Sequence, residues 1–160
     1  LPFSWKPSTD KEAHEAFLLE ELRRGQADVV VLPRYMQVLT PAVVQPYAGR
    51  IINIHPSLLP YFPGANPYRR AWEDGVRVSG CTAHLVTPDL DSGPIFSLNA
   101  AAVLPGDTEE TLAARILRQE HRLYPLVVRW FGEGRIVIDG EKIVVRDVAC
   151  DATLLFSRET

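Results

Sequence analysis

The sequence predicts an α/β fold with a mostly parallel sheet, and three observations lead there. "DVVVLP" (28–33) and "RIINIH" (50–55) are short apolar runs, as expected of strands buried on both faces. Between them "TPAVVQPY" (40–47) places Thr40 at a helix N-cap position and Pro41 at the first helical position. Strand, helix and strand with short connections are the grammar of a parallel sheet. At 160 residues and 46% hydrophobic, the chain is long enough for one domain with its own core.

Each remaining element has a local justification. Residues 1–9 are an extended, proline-punctuated lead-in. Ala13, Phe17, Leu18 and Leu22 recur at helical spacing, so a helix runs from Asp10 to about Arg24, with Gly25 placed to end it. "NPYRRAWEDG" (66–75) repeats the helix grammar, with Asn66 as N-cap, Pro67 inside the start and Gly75 past the end. "SGCTAHLVT" (79–87) and "PIFSLNAAAV" (94–103) are strand-like and flank the loop "PDLDSG". Asp107 and Glu110 form a capping signal for a long helix reaching about Phe131, which Pro125 should kink. "RIVIDGEKIVVR" (135–146) alternates around Asp-Gly, a strong hairpin signal. Residues 147–160 carry little pattern and form a tail. Phe62, Tyr68, Trp72, Trp130 and Phe131 are expected in the core or a subunit contact.

Composition narrows the function classes. A net charge of −3 argues against a dominant nucleic-acid surface. No apolar run approaches the ~20 residues that a membrane-spanning helix needs, and "LPFSWKPSTDKEAHEA" lacks the pattern of a signal peptide. Cys81 and Cys150 form no C-x-x-C, which points to a reducing, cytoplasmic setting. No H-x-x-x-H or Cys/His cluster suggests a metal. Nothing fits G-x-G-x-x-G or a P-loop, so the strand and glycine-rich turn that usually open a doubly wound domain are not recognisable in this sequence.

Three polar side chains stand out. Asn53 and His55 lie two apart, hence on one face, at the C-terminal end of a strand, where open α/β sheets bind ligands. Asp91 sits in "TPDLDSGP", a loop of turn formers, and loops on a rigid scaffold commonly carry reactive groups. An Asn amide donates to an oxyanion developing on a carbonyl under attack. A nearby His donates a second bond or shuttles a proton, and an Asp orients that imidazole and accepts a proton from the nucleophile. Together they suit acyl transfer by direct attack. Structural roles in turns and caps are the competing explanation for each residue taken singly.

"NIHPSLLPYFPG" followed by "GCTAHLVTPDLDSGPI" resembles the formyltransferases that use 10-formyltetrahydrofolate. The family pattern is N-x-H-x-S-L-L-P, then a G-x-T-x-H strand, then an L-D-x-G-P loop, and all three occur in order between about Ala27 and Arg135. The resemblance implies a Rossmann-like formyltransferase core over residues 1–146, lacking the family's N-terminal strand and phosphate loop. It makes Asn53, His55 and Asp91 the catalytic trio, with His84 supporting them from the adjacent strand. It lays the pterin of 10-formyltetrahydrofolate along Met36, Gln37, Val38 and Leu39 and along Val86, Thr87 and Asp89. It gives Glu120 and Pro56 to the acceptor and requires no metal. The implied reaction is formyl transfer to an amine, glycinamide ribonucleotide of purine biosynthesis being the first choice. Release of formate to water, as in the deformylases, is the second, and a non-catalytic folate-binding module the third. With half the family's sheet missing, an exposed edge should be covered by a second copy of the chain or by an N-terminal segment.

Overall fold

The computed structural model describes residues 3–7, 9–140 and 142–147; the expected tail lies outside them except for Asp147. In chain order the elements are α1 (Lys11–Arg24), β1 (Val30–Leu32), α2 (Pro41–Val44) with a 3-10 turn (Gln45–Tyr47), β2 (Ile51–His55), α3 (Pro67–Glu73), β3 (Val78–Leu85), β4 (Ile95–Ala102), α4 (Glu109–Gly132), β5 (Ile136–Asp139) and β6 (Lys142–Val145). The first four strands form one sheet in the order β1-β2-β3-β4, and β5 pairs with β6 separately.

The expectation of a mostly parallel sheet is met only between β1 and β2. β2–β3 and β3–β4 pair antiparallel, so the sheet is mixed. The direction of β3 is hidden in the sequence for a physical reason. β3 is central and covered on both faces, with every residue from Ser79 to Leu85 buried, so it shows no alternation whichever way it runs.

Helices cover both faces. Ile52 and Ile54 of β2 face a cluster completed by Leu112, Ile116, Leu123, Val127 and Trp130 of α4. Ile51 faces the opposite cluster with Val43, Val44 and Tyr47, against which Leu18, Leu19 and Leu22 of α1 pack. Asn53 and His55 therefore share the face of Ile51, by the alternation of a strand. The apolar side chains of α4 recur every three or four positions, and each fully buried Leu or Ile contributes about 1.5–3 kcal/mol.

α4 is also fastened to the sheet by one hydroxyl. Tyr124 Oη accepts from the Leu32 amide at 2.8 Å and donates to the Ile52 carbonyl at 2.7 Å, bridging the two parallel strands just before Asn53. α4 continues through Pro125 as a single 24-residue helix. Its cap differs from the expected Asp107/Glu110 pair: the reciprocal cap is made by Thr108 and Thr111. Asp107 instead accepts from the Leu104 amide at 2.7 Å and pairs with Arg115 at 2.5 Å, and those bonds hold its carboxyl well below the usual range.

Neither Thr40 nor Asn66 caps with its side chain. Asn66 adopts a left-handed backbone (φ 54°), and the Thr40 hydroxyl goes to the carboxylate of buried Glu15, which also takes the Thr40 amide at 2.9 Å. The Asp-Gly hairpin forms as expected, with Asp139 opposite Lys142 and Gly140 at φ 59°.

Replacing Tyr124 with Phe keeps the ring but strands a buried amide and a buried carbonyl. A loss of about 1–3 kcal/mol in unfolding free energy is expected, measurable as a lowered urea midpoint with an unchanged slope.

Candidate active site

The antiparallel register of β2 and β3 sets Asn53 opposite His84 and His55 opposite Thr82. One face of the G-x-T-x-H segment thus presents Gly80, Thr82 and His84 toward the end of β2, and each does a different job there. A Cβ on Gly80 would stand 2.0 Å from the Asn99 carbonyl oxygen and 2.8 Å from Leu58, so only glycine lets the loop after β2 lie down here. Thr82 clamps that loop: its hydroxyl donates to the Ser57 carbonyl at 2.7 Å and accepts from the Leu59 amide at 3.0 Å. His84 receives Asn53.

The imidazole of His84 donates Nδ1–H to the Leu85 carbonyl at 2.9 Å, which leaves Nε2 as a lone pair. That lone pair accepts from Asn53 Nδ2 at 3.2 Å. Burial is the main cause lowering the pKa of His84, which keeps the ring neutral and able to accept. Asn53 is half-buried, and the bond to His84 fixes its amide so that the nitrogen is the end presented with a second hydrogen.

His55 and Asp91 meet beside this pair. His55 Nδ1 lies 3.3 Å from Asp91 Oδ2, and Nε2 is 2.9 Å from the Phe62 carbonyl. Asp91 Oδ2 also accepts the Gly64 amide at 2.8 Å, while Oδ1 stands 3.7 Å from His84 Nε2, too far for a hydrogen bond. The L-D-x-G-P loop delivers the carboxylate through its backbone. Asp91 is left-handed (φ 49°). A Cβ on Gly93 would collide with the Leu85 carbonyl oxygen at 1.9 Å, and the Leu85 amide donates to the Pro94 carbonyl at 2.8 Å.

Asn53, His55, His84 and Asp91 are thus brought together as two adjacent pairs, Asn53 with His84 and His55 with Asp91. Of the expected pterin residues, Leu39 is buried and shares an apolar cluster with partly buried Val86. Met36 and Val38 are 88% and 52% exposed, and Gln37 is exposed. Thr87 donates to the Asp89 carbonyl at 3.1 Å, holding the turn that leads to Asp91. Pro56 is half-buried. Glu120 makes no direct bond to the trio; it is buried on α4, where the Tyr68 hydroxyl donates to it at 3.3 Å.

Sequence reasoning missed Thr82, Phe62, Gly64 and Tyr68. Thr82 is the threonine of the G-x-T-x-H pattern, so its signal was present. Phe62 and Gly64 act through their backbones, which leave no mark in residue type. Among the described residues, no group of three or more His, Cys, Asp or Glu side chains is arranged to hold a metal ion, and no helix is long and apolar enough to cross a membrane.

The mixed α/β sheet thus carries Asn53 and His55 at the end of β2 and Asp91 in the loop between β3 and β4. Residues 2–128 match the family model described as formyl transferase, and the chain belongs to that family. Phosphoribosylglycinamide formyltransferase of Escherichia coli (strain K12) is 41% identical over 148 residues, covering 88% of this chain and 70% of that protein. Formyltetrahydrofolate deformylase of Bacillus subtilis (strain 168) is 43% identical over 147 residues, covering 91% of this chain and 49% of that protein. The crystal structure of glycinamide ribonucleotide transformylase 1 from Symbiobacterium toebii is similar with a TM-score of 0.85 at 45% identity, covering 89% of this chain and 68% of that one. The chain spans between about half and 70% of the length of these relatives.

His84 makes a signed pH prediction. Its folded pKa lies below the unfolded value of 6.5, so below pH 6.5 the unfolded chain binds a proton that the folded chain refuses. This contribution to stability is whole above pH 6.5 and declines as pH falls toward the folded value. In His84→Gln that part of the decline disappears, which urea midpoints measured on either side of pH 6.5 will register.

Proposed function

We propose that this chain transfers the formyl group of 10-formyltetrahydrofolate to an amine, and that glycinamide ribonucleotide is the amine. The observation that carries the reading is the Asn53 amide nitrogen, held at 3.2 Å by neutral His84, whose Nε2 in turn stands 3.7 Å from Asp91 Oδ1. A fixed neutral donor next to a proton acceptor is the pair that attack on a formyl carbon requires.

In this mechanism the neutral amine nitrogen attacks the formyl carbon and the C=O electron pair moves onto oxygen. The Asn53 N–H stabilises that oxyanion. Asp91 takes one proton from the attacking nitrogen, directly or through water. Collapse re-forms the carbonyl and breaks the bond from carbon to N10, and the proton held by Asp91 passes to N10. The products are the N-formyl amine and tetrahydrofolate. Both nitrogens of His55 are already engaged, by the Phe62 carbonyl and Asp91. We therefore assign to His55 the holding of Asp91, and to Asn53 the oxyanion. The pterin is assigned to the two segments that carry Leu39 and Val86, where exposed Met36 and Val38 offer apolar surface.

Water as the acceptor is a second reading, favoured by the 43% identity to the Bacillus subtilis deformylase. Formyl release from 10-formyltetrahydrofolate, measured with and without glycinamide ribonucleotide, separates the two. Acceleration by the ribonucleotide is expected; equal rates mean water is the acceptor. In Asn53→Ala the turnover rate is expected to drop about 10²–10³-fold. If neither Asn53→Ala nor Asp91→Asn changes any formyl-transfer or release rate while folate still binds, the chain is a binding module and the enzyme reading fails.

A further inference from the structure

The loop that joins β2 to α3 takes an unfavourable path, and an exposed arginine braces it from outside the site. Phe62 and Gly64 both have left-handed backbones, at φ 53° and 78°. Glycine adopts that region freely but phenylalanine does not, so the path needs bonds to fix it. Inside the site two such bonds come from groups already described. His55 Nε2 donates to the Phe62 carbonyl at 2.9 Å, and the Gly64 amide donates to Asp91 Oδ2 at 2.8 Å. On the outer side, exposed Arg70 of α3 donates from Nη1 to the Pro63 carbonyl at 2.6 Å, and its guanidinium lies 5.5 Å from the centre of the Phe62 ring. Arginine suits both contacts at once, because its flat fork stacks on a ring while its edge still donates. α3 is a firm base for that reach: Pro67 and Ala71 are buried, and Trp72 Nε1 donates to the Asp107 carbonyl at 2.8 Å, fastening the helix to the segment before α4.

The Pro63 carbonyl and the Gly64 amide belong to one peptide group. That group is trans, so its C=O and N–H point in opposite directions from a rigid plane. Arg70 grips one end of the plane and Asp91 the other. A bond donated to the carbonyl by a cation draws electron density from the nitrogen, which makes the N–H a better donor to the carboxylate beyond it. One peptide thus carries both position and polarisation, through contacts of 2.6 and 2.8 Å, from an exposed charge to the carboxylate of the trio.

We propose that Arg70 is a positioning residue, which through the Pro63–Gly64 peptide sets the place and the hydrogen bonding of Asp91. Its consequence for turnover rests on the formyl-transfer reading above, while the link from Arg70 to Asp91 stands on the contacts alone.

The test compares Arg70→Ala and Arg70→Lys with the unaltered chain. Without substrate, the Gly64 amide proton is followed by NMR on a glycine-labelled sample. In Arg70→Ala its signal is expected to move upfield and its exchange with solvent to quicken about tenfold. Arg70→Lys keeps a donor but loses the fork, and is expected to fall between the two. In steady-state assays Arg70→Ala is expected to lower kcat for amine formylation about tenfold, with KM for 10-formyltetrahydrofolate changed by less than about twofold. An unmoved Gly64 signal overturns the proposal, and so does an unaltered kcat in a chain that Asp91→Asn impairs. Should Asp91→Asn leave every formyl-transfer rate unchanged, the formyl-transfer reading fails, and the Gly64 signal still decides the link to Asp91. If Arg70→Ala folds poorly, Arg70→Lys carries both readouts, with the same directions expected and the same outcomes overturning it.

Discussion

Because β2 and β3 pair antiparallel with Asn53 opposite His84 and His55 opposite Thr82, alternate side chains of both strands converge on one space. A shift of that register by one residue would turn all four to the other face and bury polar groups in the cluster of Ile52 and Ile54. The apolar pattern of β2 therefore fixes the chemistry as well as the core. Tyr124 reinforces this from the far side, since its hydroxyl ties β1 to β2 one residue before Asn53.

The site is built from neutral contacts around a small number of charges. His84 is useful as an uncharged acceptor; a proton on Nε2 would remove the lone pair to which Asn53 Nδ2 donates. Asp91 holds its place with a backbone amide and an imidazole, and its left-handed backbone aims it. Glu120 is the exception, a buried carboxyl group whose pKa is raised chiefly by that burial. Groups kept in an unfavourable state by their neighbours gather where a fold has a task beyond folding.

Much of the fold was legible because its signals are local: helical spacing in α1 and α4, prolines at helix starts, and Asp-Gly in the hairpin. The direction of β3 was not, since full burial erases the alternation that reports how a strand sits. The cap of α4 was misassigned by one position because Asp107 and Thr108 are both good cap residues, and only the tertiary pull of Arg115 on Asp107 separates them. In the site, Asn53, His55, His84 and Asp91 were visible by residue type, and the structure puts them within reach of one another. Phe62 and Gly64 act through peptide groups, which every residue possesses, and the link from Tyr68 to Glu120 joins positions 52 apart in sequence. Such pairings become readable only once the chain is folded.

The separation of Asn53 from His84, 31 residues along the chain, bears on how the site comes into being. Closing a loop of that length costs conformational entropy that grows only slowly with its size. Here the cost is met once, when β3 docks on β2, and the same event brings in His84 and Thr82 and starts the turn to Asp91. A chain that has not paired β2 with β3 therefore holds an asparagine and a histidine with nothing to aim them.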